Sequence, residues 1–360
     1  MSTKLAAFFK NPFWRRYGNY LAVLAVAVVF GALSISGVAT SATQYLLEKI
    51  AIAVILAVSL CMVVGFLGEL SLGHAGFMCV GAYAGGKIAS LLVEAMGGNQ
   101  NSILVLLLSL LVGGIVAAIF GFIIGLPALR LRGDYLAIVT LAFGEIVRSV
   151  VMNVPATLFG GTLGLETPRF NKKYLFIFAL VMVIACLAVA QNLMRSKHGR
   201  AIVSIKDNEI AARATGIDVT KYKLFVFTVS SFFAGIAGVL YSYSNYRLQS
   251  ANFDYNYSIE ILVMVVLGGM GSINGSLIAA ALITFLNIKL QTTLTGNLAV
   301  LQNFFYAIIL IIIVIYKNAP GLKTFREKYN MNVLWSKLKA KLQKQPDTTN
   351  ADAKEGAENE

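Results

Sequence analysis

Residues 67–86 read LGELSLGHAGFMCVGAYAGG. A carboxylate, Glu69, and an imidazole, His74, stand close together in this stretch with Ser71 and Gly73 between them. Such groups can pass a proton or bind a polar solute, and ionisable side chains in an apolar surrounding are costly enough to mark functional positions. A second costly pair, Glu145 and Arg148, has the spacing at which helical side chains meet. A third set of candidates lies in residues 195–223, RSKHGRAIVSIKDNEIAARATGIDVTKYK, where Ile202, Ile205, Ala212 and Gly216 recur among charges at helical spacing. This segment is too short for a domain and too patterned for a linker, and it reads as one or two short surface helices shaped to meet another protein.

Other chemistries find no support. The chain has two histidines, His74 and His198, and three scattered cysteines, Cys61, Cys79 and Cys186, so no cluster has metal-ligand spacing. The cysteines read as small core residues. GAYAGGKI (81–88) approaches a phosphate-binding loop, but Ile88 stands where that loop needs a Ser or Thr. Its glycines, with Gly121 and Gly125, are expected to let helices approach closely. Neither a serine nucleophile nor a pair of catalytic carboxylates is present. The chain reads as a protein that is not an enzyme and carries no cofactor of its own.

The elements that must hold these residues follow from composition. The chain is 58% hydrophobic and 13% charged, against about 25% charged for a soluble domain. Runs long enough to cross a bilayer, roughly 20 apolar residues, occur at 20–38, 103–126, 174–193, 224–243 and 301–316. The first follows Lys4, Lys10, Arg15 and Arg16 but is long and succeeded by further spans, so it reads as a retained helix rather than a cleaved signal. The fold class is all-α, a polytopic integral membrane protein with broken or re-entrant helices.

The net charge of +13 is distributed by loop and does not form the basic face of a nucleic-acid binder. Four basic residues lie in 1–19, two at Arg130 and Arg132, seven in 195–223 and eight in 317–345, together 21 of the 30. Cytoplasmic loops collect Lys and Arg, so these regions share the cytoplasmic side. Parity then asks for helices near 20–38, 50–66, 72–93, 103–126, 134–152, 174–193, 224–243 and 301–316. Residues 258–290 cross as two short helices joined at GGMGSING, where regular helix is disfavoured at about 1 kcal/mol per glycine. That makes ten transmembrane segments with both termini cytoplasmic. Residues 317–345 form a basic tail with Leu334, Trp335, Leu338 and Leu342 at helical spacing, suited to anionic membrane lipid; residues 346–360 are acidic and expected to be disordered.

Four motifs in order, GELSLGHAGF, LRGDYLAIVTLAFGEIVR, GGTLGL and VLGGMGSINGS, together with EIAARATGID, resemble the branched-chain amino acid ABC transporter permease family, LivM-type subunit. The likeness covers roughly residues 45–316. It implies a permease subunit of an ATP-driven importer for branched-chain amino acids or a related small amino acid or amide, in a bacterial cytoplasmic (inner) membrane. The implied partners are a homologous permease subunit, two ATP-binding cassette subunits that bind the ATP, and an extracytoplasmic solute-binding protein. EIAARATGID resembles the coupling loop of such permeases, which assigns ATPase coupling to Asp207, Glu209, Ala211, Ala212, Arg213 and Gly216; Ile210 interrupts the family's Glu-Ala-Ala order.

Within that topology GELSLGHAG is an irregular break between two helices on the cytoplasmic side. Irregular backbone at membrane depth survives where protein or water satisfies it, and broken helices mark transport pathways. Two readings are open. Glu69, Ser71, Gly73 and His74 form part of a pathway or gate, or Glu69 caps the next helix or pairs with a basic loop residue while His74 bonds backbone. Glu145 and Arg148 likewise serve a structural ion pair with a neighbouring helix, or contact solute. The rival function is an ion-coupled secondary transporter with Glu69, Glu145 and His74 as a proton relay.

Overall fold

The computed structural model describes residues 40–131 and 133–293, with isolated positions outside them. The chain divides into two compact units, Met1–Ala299 and Val300–Glu360; in the second, Phe304, Ala307, Ile308, Ile311 and Ile315 are helical. The expected spans 20–38 and 301–316, Arg132 and both tails lie outside the described residues.

Among the described residues of the first unit, ten α-helices carry the architecture, and a one-turn helix, Ala156–Phe159, lies in the loop between the fourth and fifth. Helix α1 (Ser41–Leu60) starts at Thr40, whose side chain accepts from Thr43 N, and continues as a π-helical segment, Cys61–Leu67. After a break come α2 (His74–Ala95), α3 (Ile103–Ala128) and α4 (Asp134–Asn153). Helix α5 (Lys172–Arg195) leads to α6 (Lys197–Asp207) and α7 (Glu209–Ala214), and α8 (Val219–Ser244) returns. The short α9 (Tyr255–Gly268) and α10 (Ile273–Thr293) follow. Seven of these segments are long and apolar enough to cross a membrane, and α9 is a shorter apolar helix.

Two expectations change. The helix placed at 50–66 begins nine residues earlier, because Thr40 caps it and the apolar run continues through Gln44 and Glu48, both buried. The pair expected over 258–290 is uneven: α9 is short, but α10 has 21 residues and full spanning length. A minimal antiparallel pairing also interrupts the all-α fold. Strand β1 (Leu165–Glu166) faces β2 (Arg247–Leu248), with Leu165 opposite Leu248 and Glu166 opposite Arg247. It fastens the loop after α4 to the loop after α8, and its Glu166–Arg247 ion pair is exposed.

Helix α1 is the core. Its apolar window is 89% buried, against 39% for α3, although both are strongly apolar; α1 packs on α5, α8 and α10, whereas α3 turns Leu104, Leu111 and Ile123 outward. Helices α2, α3 and α8 meet through small residues: a Cβ at Gly81 would fall on the Gly235 backbone, and one at Gly113 would press on Val239 and the Gly81 carbonyl. Backbone contact at this distance requires glycine, which is the expected use of small residues in membrane packing. The three cysteines are free and buried.

Candidate functional site

The break after α1 is built around two glycines. Gly68 takes a left-handed φ of 81° to end the π-helical segment, a conformation that glycine adopts without steric penalty. Gly73 lies against the backbone of Thr140 on α4, where a Cβ would come within 2.7 Å of the Thr140 carbonyl oxygen. The loop backbone is satisfied locally: Leu72 N donates to Thr140 Oγ1 at 3.0 Å, and Ala75 N donates to Ser258 Oγ of α9 at 3.1 Å.

Glu69 is 8% exposed and forms an ion pair with Lys223, itself 4% exposed, on the first turns of α8. Lys223 also reaches Glu209 at 3.3 Å, and Glu209 pairs with Arg213 at 2.5 Å. The result is an alternating chain of charges, Glu69–Lys223–Glu209–Arg213, running from the buried break to the exposed face of α7. The pairing of Glu69 with a basic residue of the 195–223 segment is present, with Lys223 standing on α8. Lys223, the last residue of the segment read as facing another protein, is buried.

His74 does not join that chain. Its Nε2 lies 2.9 Å from Ser59 Oγ of α1, and Ser59 Oγ also lies 2.9 Å from the Leu56 carbonyl. The serine has one proton; when it donates to Leu56, the imidazole donates from Nε2. The expected bond from His74 to backbone is thus a bond to a side chain. Ser71 is buried, and its hydroxyl has no partner among the described residues. Glu145 and Arg148 pair at 2.7 Å, and the other Glu145 oxygen accepts Tyr255 N at 3.0 Å, anchoring the start of α9 to the middle of α4.

The segment after α5 folds as two helices meeting at Asn208, whose side chain accepts from Ile210 N and Ala211 N at 3.0 Å. Asp207 closes α6, and α7 ends before Gly216, which takes φ 86°. Of the one or two short helices expected over 195–223 there are two, and the second, α7, lies within 207–217, because an Asn cap ends one helix and starts the next. Ala212 is 4% exposed and faces the protein, so its small size serves packing within this chain. Ile210 is 76% exposed, and Ala211 and Arg213 are exposed beside it.

Helix α6 adds a second tie. Lys206 Nζ donates to the Gly65 carbonyl at 2.7 Å, one of the backbone oxygens left open near the helix end. Gly65 in turn abuts the turn between α9 and α10, where a Cβ would come within 2.6 Å of Gly271 N. Three separately recognised motifs, the break at 68–73, the segment 195–223 and GGMGSING, therefore meet at one end of the helical unit. Among the described residues no group of three or more His, Cys, Asp or Glu could hold a metal ion.

Sequence reading missed a polar group at the other end of α1. Glu48 Oε2 accepts Ser244 Oγ at 2.8 Å, and Lys49 Nζ donates to Asn245 Oδ1 at 3.1 Å. A helix beginning at residue 50 leaves both charges outside it, whereas the helix begins at Ser41. Thr40, a good N-cap at the head of SATQYLLEKI, was the available signal.

The sequence is similar to known proteins over most of its length. The model of the family described as branched-chain amino acid transport system / permease component matches residues 42–314. The high-affinity branched-chain amino acid transport system permease proteins LivM of Salmonella typhimurium and Escherichia coli are each 36% identical over 294 residues, covering 73% of this chain and 66% of the relative. A probable branched-chain amino acid transport permease protein LivM of Methanocaldococcus jannaschii is 28% identical over 266 residues, 65% of this chain and 76% of the relative. The chain thus spans just under two thirds of the length of the two bacterial relatives. No solved structure matches it. With the family's pattern extending over most of the chain and its motifs gathered at one end of the helical unit, the chain belongs to the branched-chain amino acid transport permease family.

Proposed function

We propose that this chain is a pathway-forming permease subunit of an ATP-driven importer for branched-chain amino acids or a related small amino acid or amide. In this reading residues 195–223 face the cytoplasm and α7 docks on separate ATP-binding cassette subunits. A homologous permease subunit and an extracytoplasmic solute-binding protein complete the assembly. The observation that carries the proposal is the charge chain Glu69–Lys223–Glu209–Arg213. It joins a short exposed helix, suited to docking, to the break between α1 and α2. A push on α7 is thereby delivered to irregular backbone inside the helical unit, the kind of backbone that lines transport pathways. The similarity to relatives named as branched-chain amino acid permeases supports the substrate class. The apolar segments, together with the similarity to permeases of two bacteria, support a bacterial inner-membrane location.

The test is Ile210→Asp. Ile210 is exposed, so the change leaves folding within about 0.5 kcal/mol of the wild type, while placing a charge on the docking face. The variant is expected to insert and purify normally yet to lose ATPase subunits on co-purification and to lose ATP-dependent uptake. Normal association and uptake would remove α7 from the coupling surface. Uptake by this chain alone, driven by an ion gradient without ATP, would favour the secondary transporter and overturn the proposal.

A further inference from the structure

Lys49 sits two turns inside α1, at the end of that helix away from α6 and α7. A cation there is expensive, and the neighbouring groups identify what it is kept for. Among the described residues no carboxylate lies within ion-pair distance of its ammonium. It is held instead by neutral groups: Asn245 Oδ1 at 3.1 Å, the Tyr241 ring at 3.8 Å to the centroid and the Tyr45 ring at 5.2 Å. Tyr45 also donates to the same Asn245 oxygen at 3.4 Å. Dipoles and ring faces stabilise a cation without neutralising it. An ammonium has three donors; the amide oxygen takes one and the Tyr241 face covers another direction, which leaves one donor of this half-buried side chain without a partner among the described residues.

Polar side chains are frequent on the neighbouring elements. Glu48, adjacent on the helix, binds the Ser244 hydroxyl and acts on the Lys49 ammonium through space without a direct ion pair. Glu260 on α9 accepts from Asn287 on α10. The segment just before and into α9 leaves Asn252, Tyr255 and Asn256 exposed, although Tyr255 N is tied to Glu145 in the middle of α4.

We propose that Lys49, cradled by Tyr45, Tyr241 and Asn245, is a recognition point for the carboxylate of the translocating solute. The ligand class is a small free carboxylate, as in an α-amino acid, and the proposal rests on the importer reading above. The ring faces hold the ammonium in place when no solute is present; an arriving carboxylate adds the direct ion pair that no neighbouring side chain makes and leaves when the cradle changes shape.

Two variants test it in the complex purified through this chain and reconstituted in proteoliposomes with its solute-binding protein, using leucine as probe. Lys49→Met removes the charge. Asn245→Asp keeps the shape but gives Lys49 a permanent carboxylate partner. Each is expected to assemble and retain binding-protein-stimulated ATPase activity, while leucine uptake falls at least about tenfold, as for loss of a desolvated charge partner. Wild-type uptake in either assembled variant overturns the proposal. So does loss of assembly in both, which would assign Lys49 to the fold. Failure of the wild-type complex to import any amino acid would instead refute the importer reading.

Discussion

The two ends of α1 solve the same problem in opposite ways. At the end near α6 and α7, Lys223 closes on Glu69 and Glu209, and Arg213 completes a neutral alternation of charges. Some 30 Å away, the length of about twenty helical residues, Lys49 rests on an amide oxygen and two tyrosine rings. A closed network is self-sufficient: breaking it leaves a buried charge uncompensated, so its members move together. A cation stabilised by neutral groups stays available to an anion from outside. The difference separates a part that transmits force from a part that can bind.

Removing the linchpin of the closed network should have the largest effect. Lys223→Met strands the buried Glu69, at a typical cost of about 3–5 kcal/mol, and should sharply reduce the yield of monodisperse protein on size exclusion. Adding Glu69→Gln should recover most of that loss, since no charge is then left buried. If the double variant is no better than the single, the pair is not the unit described here. Gly65→Ala probes the contact between the broken helix and the turn before α10. The added methyl meets Gly271 N, and overfilling of this kind costs about 1–3 kcal/mol, read as a lower thermal midpoint in detergent. An unchanged midpoint would mean the two segments are not in contact.

The smallest effect belongs to the exposed end of the chain. Arg213→Ala removes a partner that is 55% exposed, worth about 0.3–0.5 kcal/mol for a helical pair of this spacing. Stability should barely change. A loss comparable to that of Lys223→Met would show that the network is not graded from buried to exposed.

Much of this was legible without coordinates. The apolar runs and the paired glycines followed from composition and spacing, and GELSLGHAG was readable as a break because glycine and polar residues interrupt an otherwise continuous apolar helix. The short helices before α8 were visible from Ile202, Ile205 and Ala212. Orientation was less legible. Ala212 had the size for an external contact, yet it faces inward, because the Asn208 cap sets where α7 begins and so which side each residue shows. Lys49 was hidden by a nine-residue error in one helix start, and β1 with β2 by strands too short to carry any periodic pattern.

The sequence by itself determined which segments are apolar helices, where the chain must break, and which family pattern it carries. These are local properties, readable from a window of neighbouring residues, since burial of apolar surface and glycine's backbone freedom act through composition and short spacing. Tertiary structure alone decided that Lys223 meets Glu69 across 154 positions, that His74 bonds Ser59 rather than backbone, and that Lys49 lies under Tyr241. A charge can be satisfied by any of many partners at similar local cost, so its choice depends on which helices the packing of Gly81, Gly113 and Gly235 brings together.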